Sequence, residues 1–259
     1  MIKNDTLRQI LVFCALGLTL TVNALANIIP FNGVTTGDVS DSISFLFAPA
    51  SYVFSIWGVI YAGLTAYAIF QGSPSQKPNP RLRAIAVPFL LNGIVNASWM
   101  FAWHYRLYWL SLFLMVMILV TLIVIYWRLE IGRSAVSRAE TWCVRVPFSI
   151  YMGWISVATI ANVSSASVAN GWNGAPLSPE IWTAIMLVIG TVVAGIVIRR
   201  HHDLAYALVF IWAFIGIIVN RSDILLIVVT AGLMAAVIAG MLLLQLPKRP
   251  VLKPATSLN

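Results

Sequence analysis

Apolar runs close to twenty residues long recur from one end of this 259-residue chain to the other. Such a run crosses the hydrocarbon core of a bilayer as a helix. No water is available there to satisfy an open backbone, so the chain is restricted to a bundle of transmembrane helices. Composition agrees, since 60% of the residues are hydrophobic and only 9% are charged, against about a quarter charged in a soluble domain. No stretch remains for a separate soluble domain. The expected fold is an all-α integral membrane protein with about eight transmembrane helices, at residues 9–27, 47–70, 84–103, 107–127, 143–164, 180–198, 204–219 and 223–245.

Local signals mark the ends of these spans. Pro49 and Pro147 are placed in first turns, where a missing N–H costs little. Ser178, Pro179 and Glu180 read as an N-cap, a proline at the first helical position and an acid facing the helix dipole. Ser222 and Asp223 are expected to open the last helix in the same way. The first apolar run reaches about Ile29, and Asn23 and Asn27 stand where a signal peptidase would need small residues, so the run is read as a retained first helix. Cys14 and Cys143 lie far apart and make neither a CxxC pair nor a metal-ligand spacing.

The basic residues set an orientation. Fourteen of the 16 Lys and Arg residues fall in one alternating set of connections and termini; only Arg106 and Arg221 fall in the other. Positive charge is retained on the cytoplasmic side, so both termini are expected in the cytoplasm and an even number of spans is required. The expected localisation is multi-pass in the plasma or inner membrane, with residues 246–259 a cytoplasmic tail. The same placement explains the net charge of +8 without nucleic acid, because no basic patch with interleaved aromatics lies outside the spans. The connection from Ile28 to Leu46 has no Lys or Arg, is rich in Gly, Ser, Thr and Asp, and is long enough to cover the outer end of the bundle.

All eight acids fall in connections or at helix ends, and His104, His201 and His202 do the same. An ion-coupled pump keeps an ionisable residue at depth, and a haem or metal centre needs converging ligands there. No cofactor is implied. What does lie at depth is a set of amides and aromatics at helical spacing. Asn92, Asn96, Trp99 and Trp103 share one face of the third span; Tyr151, Trp154, Ala158 and Asn162 share one face of the fifth. Phe54, Trp57 and Tyr61 follow the same rule in the second, and Thr19, Asn23 and Asn27 in the first. An asparagine in hydrocarbon must find a partner, so these faces turn towards one another. Two readings stay open: interhelical packing, or the wall of a cavity for a flat, largely apolar ligand. Small-residue stripes at Gly58, Ala62 and Ala66 and at Gly232, Ala236 and Gly240 suit close helix contact within one chain or in a homodimer.

These same residues carry a family resemblance. Trp154, Ser156, Ala158, Thr159 and Asn162 resemble the W-x-S-x-A-T-x-x-N pattern of the TspO/MBR family, the tryptophan-rich sensory proteins. Asn96, Ala97 and Trp99 are similar to its N-A-x-W segment. Pro49, Val53, Phe54, Trp57 and Tyr61 are similar to P-P-G-W-V-F-G-P-V-W-T-x-L-Y, with Ser51 or Tyr52 standing at the first tryptophan. The resemblance covers residues 9–164 and implies a five-helix ligand-binding bundle, with 165–245 as three additional helices without counterpart in the usual form. It implies a pocket under the first connection for a tetrapyrrole such as a porphyrin, or another flat hydrophobic molecule. The ligand-binding residues are then Trp57, Tyr61, Asn92, Asn96, Trp99, Trp154, Ala158 and Asn162.

The expected function is therefore a membrane-embedded binding or sensory protein for such a ligand. The alternative is a permease or flippase for a hydrophobic metabolite, which the extra helices could serve. An intramembrane enzyme comes last, because no mid-span acid, histidine pair or activated nucleophile is present.

Overall fold

The computed structural model describes residue 2, residues 4–245 and the backbone of residues 253–254. The expected cytoplasmic tail, 246–259, lies outside the described residues apart from Lys253 and Pro254, whose backbone pairs in parallel with Ser134 and Ala135. Seven described helices are long and apolar enough to cross a membrane, and Leu204–Asn220 is an eighth apolar helix of 17 residues. The protein is an all-α membrane protein.

The helices are α1 (Asp5–Ile28), the short α2 (Thr36–Asp41), α3 (Ile56–Gly72), α4 (Pro80–His104) and α5 (Tyr108–Arg128). There follow α6 (Arg138–Glu140), α7 (Val146–Ala169), α8 (Pro179–His201), α9 (Leu204–Asn220) and α10 (Leu225–Gln245). Side-chain oxygens cap the starts. Asn4 accepts from the Leu7 N–H, Asn79 from Arg81, Ser178 from Ile181 and Asp203 from Tyr206. Each satisfies one of the donors that a helix start leaves open.

Three expected boundaries are corrected. Pro49 lies ahead of the second span, which opens as a 3-10 turn at Ser51–Ser55 before α3 begins. The fifth span starts earlier, because a π turn, Thr141–Arg145, joins α6 to α7. Pro147 has no N–H to give back to the preceding turn and its ring crowds the carbonyl four residues earlier, and a widened turn accommodates both. The last helix begins at Leu225 rather than at Ser222 and Asp223, which sit in the turn before it.

In the packing, α4 lies against α1 and α5, α7 against α5, and α3 against α1 and α7. Helices α8, α9 and α10 pack together and join this group chiefly through α9 on α7. Gly153 permits that junction, because a Cβ there would stand 2.9 Å from the Tyr206 carbonyl. The expected small-residue stripes are different. Gly58, Gly232 and Gly240 all face open space, so within one chain these glycines make no close helix contact.

Polar residues at depth tie the helices together. Asn96 donates to the Tyr151 hydroxyl at 3.0 Å and accepts from Asn23 at 2.8 Å, linking α1, α4 and α7. Asn92 donates to Thr121 at 2.8 Å, linking α4 to α5. Bonds of this kind contribute about 0.6 kcal/mol each within a membrane. Charged residues gather at the helix ends. Arg81 grips Glu140 with two bonds, at 2.7 and 2.9 Å, and Arg83 pairs with Asp5. These contacts join the N-terminus, the α3–α4 connection and the α5–α7 connection at one end of the bundle. Residues 28–50, the α4–α5 turn and the α9–α10 turn lie at the other.

Candidate functional site

The first long connection folds over the end of α4. Phe31 stacks on Phe101 with ring centroids 4.9 Å apart, Asn32 donates to the His104 carbonyl at 3.2 Å, and the Trp103 indole N–H donates to the Thr36 carbonyl at 3.1 Å. A reciprocal cap between Thr35 and Asp38 starts α2, and the Thr35 N–H bonded to Asp38 lowers the pKa of that carboxyl.

Beneath this cover lies a small, partly enclosed chamber of about 60 Å³. Thr36, Ser40, Phe45 and Pro49 come from the cover, Phe54 and Trp57 from the second span, and Trp99 and Trp103 from α4. Met115 comes from α5, and Trp154, Val157, Ala158, Ala161, Asn162 and Ser165 from α7. No residue of α8, α9 or α10 lines it. The aromatic rings interlock: Trp99 and Trp103 stack at 5.9 Å, while Trp154 meets Phe54 and Trp57 edge-on at 5.8 and 6.3 Å.

Two features of the wall are chemically distinct. The indole N–H groups of Trp99 and Trp154 are buried and have no hydrogen-bond partner, unlike that of Trp103. A buried donor left without an acceptor costs about 1–3 kcal/mol. Asn162 accepts from Ser111 at 3.3 Å and supplies an amide to the same wall.

Five of the eight residues expected from sequence line the chamber: Trp57, Trp99, Trp154, Ala158 and Asn162. Tyr61 does not, but stacks on Trp57 at 5.5 Å from one turn further along α3. Asn92 and Asn96 do not either, since their amides are occupied by Thr121, Tyr151 and Asn23. Sequence reasoning left out Trp103, although it shares the stripe of Trp99, and Ala161 and Ser165, which continue the face of Ala158 at helical spacing. Thr36, Ser40 and Phe45 had no periodic signal, because they come from the connection.

The extra helices act on this site indirectly. Asn220 donates to the Ala48 carbonyl at 2.9 Å, and Arg221 donates to the Phe45 and Leu46 carbonyls at 3.0 and 3.4 Å. The Ala50 N–H donates to the Gly216 carbonyl at 3.0 Å, and Trp212 donates to the Val53 carbonyl at 3.2 Å. Helix α9 thus holds the segment that delivers Phe45, Pro49 and Phe54 to the chamber.

A helical membrane bundle closing a tryptophan-walled chamber beneath its first connection is the class defined by this architecture. The family described as TSPO-like protein matches the chain over residues 9–244, and the chain belongs to that family. The match runs through the last three helices as well as the five-helix bundle. No curated protein and no solved structure is significantly similar to the chain.

Proposed function

We propose that the protein binds a flat hydrophobic ligand of the tetrapyrrole class in the tryptophan-walled chamber, and that it acts as a binding or sensory protein rather than an enzyme. The observation that supports this reading is the pair of buried, unpartnered indole N–H groups on Trp99 and Trp154. A ligand bearing carboxylate or ring-nitrogen acceptors would satisfy both, while the indole faces of Trp57, Trp99 and Trp154 meet its plane. A volume of about 60 Å³ falls far below the roughly 300–1,000 Å³ of small-molecule sites. The described conformation is therefore a closed one, and binding requires residues 28–46 to lift and the rings to part.

The test is a titration of the purified protein in nanodiscs with protoporphyrin IX, read by tryptophan quenching and by hydrogen exchange. Saturable quenching is expected, with a change in exchange over residues 28–46. Quenching that rises linearly, with exchange in this segment unaltered, would defeat the reading. The permease or flippase alternative predicts porphyrin flux across proteoliposomes, which binding alone does not produce.

The same reading places both termini in the cytoplasm, on the strength of the basic asymmetry. Reporter fusions at Gln76 and Ser257 are expected to read cytoplasmic and one at Ala169 external. A cytoplasmic signal at Ala169 would overturn the orientation.

A further inference from the structure

A second cavity lies on the flank of the bundle, where α3, the π turn before α7 and the first half of α9 leave a groove of about 930 Å³. It shares no lining residue with the chamber. Its length is apolar: Val59, Leu208 and Trp212 line it while remaining exposed, so it opens sideways towards the bilayer. Its ionisable groups, Arg145, His201, His202 and Asp203, are confined to one end. Along α9 it runs from Leu204 to Trp212, about 12 Å at the helical rise of ~1.5 Å per residue.

Arg145 is the residue at that end which the fold does not explain. It is only 6% exposed. Its two Nη atoms donate to the carbonyl and hydroxyl of Ser134, and its Nε is buried with no partner. Among the described residues no carboxylate pairs with it, and Glu140 is engaged by Arg81. The acid within the groove is already occupied: Asp203 accepts from the Tyr126 hydroxyl at 2.8 Å, the Ser149 hydroxyl at 2.6 Å and the Tyr206 N–H at 3.1 Å. The Nδ1 of His202 is a second buried nitrogen without a partner. Desolvating a guanidinium with no carboxylate in direct contact costs several kcal/mol, which the more distant charges of Glu140 and Glu130 offset only in part. Arg145 also sits in the π turn, a distortion that recurs at functional sites. Arg133 in the adjoining connection and Arg128, Arg138, Arg199 and Arg200 in the helix ends around it outnumber Glu130, Glu140 and Asp203 there, so this end attracts anions.

A groove that is apolar along its length and cationic at one end fits an amphiphile. We propose that it holds one anionic phospholipid of the surrounding bilayer, with the phosphate against Arg145 and His202 and an acyl chain lying along α3 and α9 as far as Trp212. Trp142, which is 69% exposed beside Arg145, is placed as an interfacial aromatic at the headgroup level. A bound lipid would then complete the seam between the five-helix bundle and α9, the helix that positions the chamber cover.

Native mass spectrometry tests this on the full-length protein equilibrated with equal amounts of phosphatidylglycerol and phosphatidylcholine. One retained phosphatidylglycerol is expected, favoured about tenfold (~1.4 kcal/mol) over phosphatidylcholine, whose choline cation is repelled by this basic end although its phosphate is the same. Arg145→Gln should abolish the preference and Arg145→Lys should keep most of it. Val59→Trp fills the apolar length from an exposed position and leaves Arg145 intact; it should remove the adduct while the protoporphyrin affinity stays unchanged. Should Arg145→Gln fail to fold, Val59→Trp decides. Equal retention of both lipids, an adduct that survives Val59→Trp, or displacement of the lipid by inorganic phosphate alone would overturn the proposal. So would a lipid-free dimer, which would give the groove to a second copy of the chain.

Discussion

Trp154→Leu is expected to weaken protoporphyrin binding about 5- to 150-fold. The substitution removes an aromatic face, worth about 0.5–1.5 kcal/mol beyond area, and a hydrogen-bond donor, worth about 0.5–1.5 kcal/mol. Together these make about 1–3 kcal/mol, and every ~1.4 kcal/mol is tenfold in affinity. Trp154→Phe separates the two contributions. It keeps a ring against Phe54 and Trp57 but deletes the buried N–H that has no partner in the closed chamber. Binding should fall while thermal stability is held or raised, because an unsatisfied donor is removed from the interior. The control is Trp127→Leu, at a helix end where the indole is 66% exposed, and it should bind as the wild type does. Equal affinity in all four proteins, for a probe shown to saturate, would return the tryptophans to packing.

Gly216→Ala is expected to lower the thermal midpoint and to disturb the chamber, although residue 216 does not line it. A Cβ at this position would stand 2.1 Å from Val53 Cγ2 and 3.2 Å from Pro49 Cβ. The segment cannot retreat freely, because the Ala50 N–H is bonded to the Gly216 carbonyl. Overpacking of this kind costs about 1–3 kcal/mol, or a few degrees per kcal/mol in a chain of this size, about 2–4 °C each. Displacing residues 49–53 should also shift Phe54 against Trp154, so tryptophan emission and protoporphyrin affinity should change together. Adding Val53→Ala to Gly216→Ala removes the clashing methyl groups and should recover most of the loss, a coupling that a double-mutant cycle reads directly. Gly232→Ala is the opposite case. It faces open space in a helix interior, where alanine is favoured by about 1 kcal/mol, and should be neutral or stabilising. A Gly216→Ala protein as stable as Gly232→Ala would show that α9 does not brace the chamber cover.

Much of this architecture is written in the sequence. Helix length and apolarity follow from the bilayer as solvent, so the existence of the spans and the alternation of basic residues between them could be read, though three of their starting points could not. The cap at Ser178 follows from a side chain that satisfies an open donor. The faces of α4 and α7 follow from helical periodicity, which is why Trp99, Trp154 and Asn162 were legible as wall residues. Periodicity orients a side chain about its own helix axis but leaves open what the neighbouring helix presents there. Only the tertiary structure decided that Asn92 and Asn96 are occupied in holding helices, and that Tyr61 stacks on Trp57 without lining the chamber. It also decided that the chamber is closed to about 60 Å³ and that its cover is held from α9. Those properties depend on the separation and register of helices distant in the chain. The sequence sets which groups must be buried or paired, and the packing of α3, α7 and α9 decides which partner each one meets.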